Sequence, residues 1–121
     1  MTARRTVTVR TIDHGPVTLT CPAWCTGHTG HPAGYRADLS HTGPEHVLVH
    51  EGEPLHVAQL VRFPYGARPN TTGLYVEQSG FAQTLTPVGV DGLAAALVAH
   101  AARLRHLARE LSALHAAEED R

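Results

Sequence analysis

Polar and apolar residues alternate almost from the start of the chain. Residues 5–12 read Arg-Thr-Val-Thr-Val-Arg-Thr-Ile, the period-2 pattern of a half-buried strand. His14-Gly15-Pro16 follows as a turn signal, and Val17-Thr18-Leu19-Thr20 alternates again, so residues 5–20 are expected to form a hairpin. His46-Val47-Leu48-Val49-His50 reads as a further strand, closed by a turn at Glu51-Gly52-Glu53-Pro54. Residues 55–63 form the next strand, with Val57, Gln59 and Val61 on one face and Ala58, Leu60 and Arg62 on the other. After a polar loop over 64–73, residues 74–78 and 81–85 read as a last pair of short strands around Ser79-Gly80.

The period then changes from two to between three and four. Thr86-Pro87 is a helix start, with Thr as N-cap and Pro at the first helical position. From there to residue 117 the chain is rich in Ala, Leu and Arg and lacks Pro. On a heptad, Val90, Leu97, Leu104 and Leu111 share one seam position, and Leu93, His100, Leu107 and Leu114 share the other. Ala94, Ala101 and Ala108 widen the stripe. Strands first and one long helix last is an α+β order. The expected fold is an antiparallel sheet of about four to six strands with a C-terminal helix over 87–117, one domain spanning 1–121.

A helix of about 31 residues, at ~1.5 Å per residue, spans about 46 Å, whereas a six-residue strand covers about 20 Å. The C-terminal half is therefore expected to overhang the sheet and expose Leu104, Leu107, Leu111 and Leu114. An apolar stripe of that kind calls for a partner, and a homodimer through the helix is the expectation; a different protein partner would serve as well. His100, the one polar residue of the seams, reads as a partly buried, hydrogen-bonded histidine.

Residues 21–43 fit neither period. They hold two Cys, three His, four Gly and two Pro. An irregular run of this length inside a small domain needs something other than a core to organise it. Its donors suggest what that is. Zinc takes four thiolate or imidazole ligands in a tetrahedron. Cys21-Pro22-Ala23-Trp24-Cys25 supplies two from a tight turn, Thr26-Gly27-His28 adds a third, and His41, just before a strand, closes the set. His31 competes for the fourth place, with Asp38 and His46 behind it. Four protein ligands leave no open position, which makes the expected Zn2+ structural. Trp24 lies between the two Cys. It either packs over this loop and anchors it to the sheet, or stands exposed for a partner or ligand.

The segment Cys-Pro-Ala-Trp-Cys-Thr-Gly-His, followed after a gap by Leu-Ser-His-Thr-Gly-Pro-Glu, resembles a family of small actinobacterial proteins catalogued only as a domain of unknown function. The resemblance extends to Leu85-Thr86-Pro87 and the Ala/Leu-rich helix behind it, and covers about residues 17 to 110. It implies the same four-ligand set and supplies no activity. This chain departs from the pattern in its extra histidines at 31, 46, 50 and 56, which bear on the fourth ligand.

Composition narrows the function classes. Six aromatic residues among 121 leave a small core of Val, Leu and Ala, which gains from a staple such as a metal. The formal charge is −1, which offers no general attraction to phosphate backbones or anionic membranes and weighs against a nucleic-acid-binding zinc domain. The Arg62, Phe63, Tyr65 and Arg68 cluster reads as a strand end with solvated arginines. The chain shows no apolar segment of membrane-spanning length and no apolar stretch after the N-terminal arginines, so a cytoplasmic protein is expected. Thiols stay reduced there, which favours metal over a disulfide. His46, His50 and His56 alternate with apolar residues and read as exposed strand positions, where His46 and His50 share a face on which a second metal would fit. No nucleophile accompanies the ten histidines at a recognisable spacing, which leaves a metal-dependent enzyme as the weakest reading. The expectation is a zinc-stabilised interaction or regulatory module without catalytic activity.

Overall fold

The computed structural model describes residues 5–30 and 32–119. It is an α+β fold with six strands in two antiparallel sheets and one long C-terminal helix. Strands β1 (Arg5–Thr11) and β2 (Gly15–Cys21) form the expected hairpin, with Arg5 opposite Cys21 and Thr11 opposite Gly15. Its loop is closed by Thr11, whose Oγ1 accepts from the His14 N–H at 2.9 Å and donates to the Gly15 carbonyl at 2.8 Å.

The second sheet is organised by β5 (Glu53–Arg62). Strand β4 (His46–His50) pairs with its first half and β6 (Gly73–Gln78) with residues 56–61, so the two occupy opposite edges. The two-residue β3 (His41–Thr42) pairs with Val61 and Arg62 and continues the edge that β4 holds. The Gly43 N–H still reaches the Leu60 carbonyl at 2.9 Å, and then Pro44, which has no N–H, breaks the ladder before β4 begins. Glu51 and Gly52 make the β4–β5 turn with φ of 51° and 81°, the left-handed pair that a two-residue hairpin needs. Pro54 belongs to β5 rather than to the turn; it sits opposite Val49, at the register shift of β4, where a missing donor is tolerated.

Helix α1 (Pro87–Glu119) starts as expected: Thr86 Oγ1 accepts the Gly89 N–H at 3.1 Å, the N-cap bond. It packs along β4. Leu48, Ala58 and Leu60 of the sheet are buried, and Leu107 of the helix is 2% exposed.

Two expectations are corrected. Residues 81–85 form no strand. The chain must cross there from β6, on one edge, to the helix start beside β4, on the other, and it does so as an irregular segment. Ser79 holds its beginning, donating from Oγ to the Pro54 carbonyl at 2.8 Å, and the Phe81 ring meets His50 edge-on at 5.9 Å. The second correction concerns the helix. Its C-terminal half does not overhang. Thr72, at 0% exposure, donates from N and Oγ1 to the Glu118 carboxylate, and His115 Nε2 lies 2.6 Å from the Thr72 carbonyl. The loop after β5 thus rises to meet the last helical turns. Leu107 is buried and Leu104, Leu111 and Leu114 are half-buried against the chain's own body, so the overhang that motivated a second copy on this stripe is absent.

Truncation of Leu107 tests this packing. Leu107→Ala is expected to lower the unfolding free energy in urea by about 2–5 kcal/mol, the range for a fully buried leucine; a change below about 1 kcal/mol would place the helix elsewhere.

Candidate metal centre

Cys21 is the last residue of β2 and His41 the first of β3, so the two sheets meet at the donor loop. Between them the chain turns tightly: the Cys25 N–H bonds the Pro22 carbonyl at 3.0 Å, and the Thr26 N–H bonds the Thr42 carbonyl at 2.9 Å. Gly27 has φ 112°, a conformation that side chains rarely adopt, and this bend lets its N–H point at Cys25 Sγ at 3.4 Å. Arg5 ties β1 to the same turn through Nη2, which donates to the Cys25 carbonyl at 2.8 Å.

These constraints bring Cys21, Cys25, His28 and His41 together with their donor atoms all within 4.8 Å of one another, close enough to bind a metal ion. Cys25 Sγ lies 3.6 Å from His28 Nε2, which lies 3.3 Å from His41 Nδ1. Cys21, Cys25 and His41 are buried and His28 half-buried; neither cysteine is in a disulfide. His31 lies outside the described residues.

The electrostatics of the site favour the neutral forms of His41 and Cys21. Burial, then the neighbouring His28, Arg62 and Arg5, pushes the His41 pKa down to about 4, so its imidazole offers a lone pair at neutral pH. Burial and the adjacent Cys25 raise the Cys21 thiol, against the opposing pull of Arg5. A metal ion inverts the second effect, because a coordinating thiol gives up its proton.

Trp24 packs as an anchor. A Cβ on Gly43 would stand 3.6 Å from its ring and 3.4 Å from Leu60 Cβ, so the indole lies against the sheet where glycine leaves room. Its other partner is Arg62, whose guanidinium sits 5.7 Å from the ring centroid. Tyr65 similarly carries Arg36 at 4.9 Å. Arg62 and Tyr65 of this cluster thus engage in internal contacts.

With this geometry in place, the comparison with protein families is decisive: the profile of a domain of unknown function, DUF6907, matches residues 6–113. The chain belongs to that family. No curated protein and no solved structure matches it significantly. Membership covers the donor loop, both sheets and most of α1 of this DUF6907 protein, and brings no activity with it.

The other histidines lie differently from their expected places. His50 is buried and His46 and His56 are half-buried rather than exposed. His56 Nδ1 meets His100 Nε2 of the helix at 2.8 Å, with the rings edge to face. The Cys/His cluster is the one group of three or more donors close enough for a metal among the described residues, so His46 and His50 add no second one. Sequence reasoning singled out His100 as odd on its seam but could not find its partner across 44 residues. Thr72, Glu118 and His115 carried no signal, since a polar loop and a helix tail look solvated in a sequence.

His100 yields a pH prediction. Burial, then His56, Arg103 and His46, depresses its pKa below 6.5. The unfolded chain therefore takes up a proton that the folded chain resists, and this contribution to stability is full above about 6.5 and lost as pH falls below it. Urea unfolding between pH 7 and 5 is expected to show a smaller loss for His100→Gln than for wild type; parallel losses would refute it.

Proposed function

We propose that this DUF6907 protein is a small zinc-stapled interaction or regulatory module in which the metal is structural. The observation that carries the reading is the spacing of Cys25, His28 and His41 within the donor cluster. Tetrahedral zinc, with Zn–S about 2.3 Å and Zn–N about 2.05 Å, sets S···N edges of about 3.55 Å and N···N edges of about 3.35 Å. The distances of 3.6 Å and 3.3 Å in the cluster fit both. Two thiolates and two imidazoles form a donor set that suits zinc. They also fill the coordination shell, leaving no position for a substrate or activated water. Zinc would be held by Cys21, Cys25, His28 and His41, and would clamp the end of β2 to the start of β3. The interaction part of the reading moves to the N-terminal half of α1, where Val88, Val90, Leu97 and Val98 are exposed and Ala94 and Ala101 extend the apolar surface.

Elemental analysis is expected to find one zinc per chain. Cys25→Ser and His41→Ala should lose the metal and the cooperative unfolding transition together, because a site preformed only in the fold couples binding to folding. His46→Ala should keep full zinc content. A Cys25→Ser protein that contains no metal and melts like wild type would refute the staple.

A further inference from the structure

Helix α1 is apolar on two sides. One side carries His100 and Leu107, both buried. Val98 lies on the opposite side, since the nine residues to Leu107 make about two and a half turns at ~3.6 residues per turn, and it is 72% exposed. The outer face centred on it runs from Asp91 to Arg105. Between those two charges it consists of Val98 and the alanines Ala94, Ala95, Ala101 and Ala102, all exposed. Val88 continues it toward the helix start and is also exposed. A helix face turned to water ordinarily carries polar residues, and this one has none between its two ends. An open groove bordered by Val98, Ala101, Ala102, Arg105 and Arg109 runs along it. The two charges have no opposite charge within reach on their own helix. Three and four residues away, Asp91 meets only Pro87, Val88 and alanine, and Arg105 meets only alanine and the like charge of Arg109. Neither enters an ion pair among the described residues.

We propose that this face docks a second copy of the chain, with the two α1 helices antiparallel about a two-fold axis at Val98. The inference rests on the interaction reading above and names its partner. Charge complementarity carries it. Asp91 stands as far before Val98 as Arg105 stands after it, so in an antiparallel pair each carboxylate faces the partner's Arg105. By the same count Ala94 meets the partner's Ala102, Ala95 meets the partner's Ala101, and Val98 meets its own copy. A patch that complements itself in this way is what a two-fold contact requires. A parallel pair would instead set carboxylate beside carboxylate and guanidinium beside guanidinium, which like-charge repulsion penalises. Exposed ion pairs add little affinity, so these charges set the direction, while the alanines let the two backbones approach closely. The partner's carboxylate also relieves the like pair that Arg105 and Arg109 form one turn apart. A contact made by one narrow helix face is small, and a weak dimer follows.

Analytical ultracentrifugation of the full-length protein from about 1 to 500 μM is the test, with zinc content and circular dichroism measured on every sample. A reversible monomer–dimer equilibrium with Kd of about 10–100 μM is expected. Val98→Glu, at an exposed position, brings two like charges together on the axis and should remain monomeric across the range. Asp91→Arg and Arg105→Glu should each weaken self-association about tenfold or more, because both symmetric contacts become like-charged. Mixed in equal amounts, the same two variants should dimerise within about threefold of wild type, since each then meets the opposite charge on the other. All three variants should keep wild-type zinc content and spectrum. A wild-type protein that stays monomeric at the top of the range would overturn the proposal and leave the face to a different protein. A dimer that persists in Val98→Glu would overturn it too, as would a mixture that associates no better than its components. The staple reading fails separately, by the zinc content of the wild-type sample, whatever its mass.

Discussion

Four donor atoms converging where two sheets meet is the constraint on which the rest of the molecule turns. The β1–β2 hairpin and the sheet around β5 form separate hydrogen-bonded units. Among its described residues, the chain between them, 22–40, contains one 3-10 turn at Arg36–Asp38, a single bridge from Gly34 to Thr11 and otherwise irregular backbone. Several of the contacts that relate the units gather at this point: Cys21 against His41, Arg5 on the Cys25 carbonyl, and Thr26 on Thr42. Without a cation shared by those donors, each remaining bond there is a single hydrogen bond, worth about 1 kcal/mol net. A metal–ligand set is stronger by about an order of magnitude. A disulfide between Cys21 and Cys25 would close only a local loop and would leave His41, and so the second sheet, unattached.

The fold follows from two periods that compete nowhere. Strands β1 and β2 alternate cleanly, β4 and β5 are runs rich in Val and Leu, and the helix carries its apolar residues every three or four positions between a Thr-Pro start and a charged tail. These signals are local, and a sequence displays them openly. The donor set was legible for a related reason: three of its four members lie within eight residues, in a stretch with no other organising pattern. The Phe81–Leu85 stretch misled because alternation states only that one side is apolar. Whether a strand finds a partner depends on where the next element begins, and here the helix start lies across the sheet.

The misplaced overhang has the same origin in more physical form. Helix length against strand length is a sound comparison only if strands alone support the helix. Residues 64–73 supply the missing support, and the information sits in Thr72 meeting Glu118 and His115, residues more than 40 apart in sequence. The same distance hides His56 from His100. Polar residues on a helix face read as solvent-facing until the opposite surface is known.

Those polar contacts also solve a problem that the apolar stripe creates. A helix lined by Leu and Ala can slide on a sheet by one turn with little loss, because each leucine finds a similar neighbour. Along α1 the polar anchors are unevenly spaced: His100 at the middle on His56, and His115 with Glu118 near the end on Thr72. A shift of one turn would leave a buried imidazole and a carboxylate without partners, each costing about 1–3 kcal/mol or more. Such contacts add little net stability compared with apolar packing, yet they penalise every register but one. The register matters because Leu114, Ala117 and Glu118 border a cavity beside the metal loop. With the helix held by Thr72 at that end, the side chains that border the cavity keep one arrangement relative to the loop.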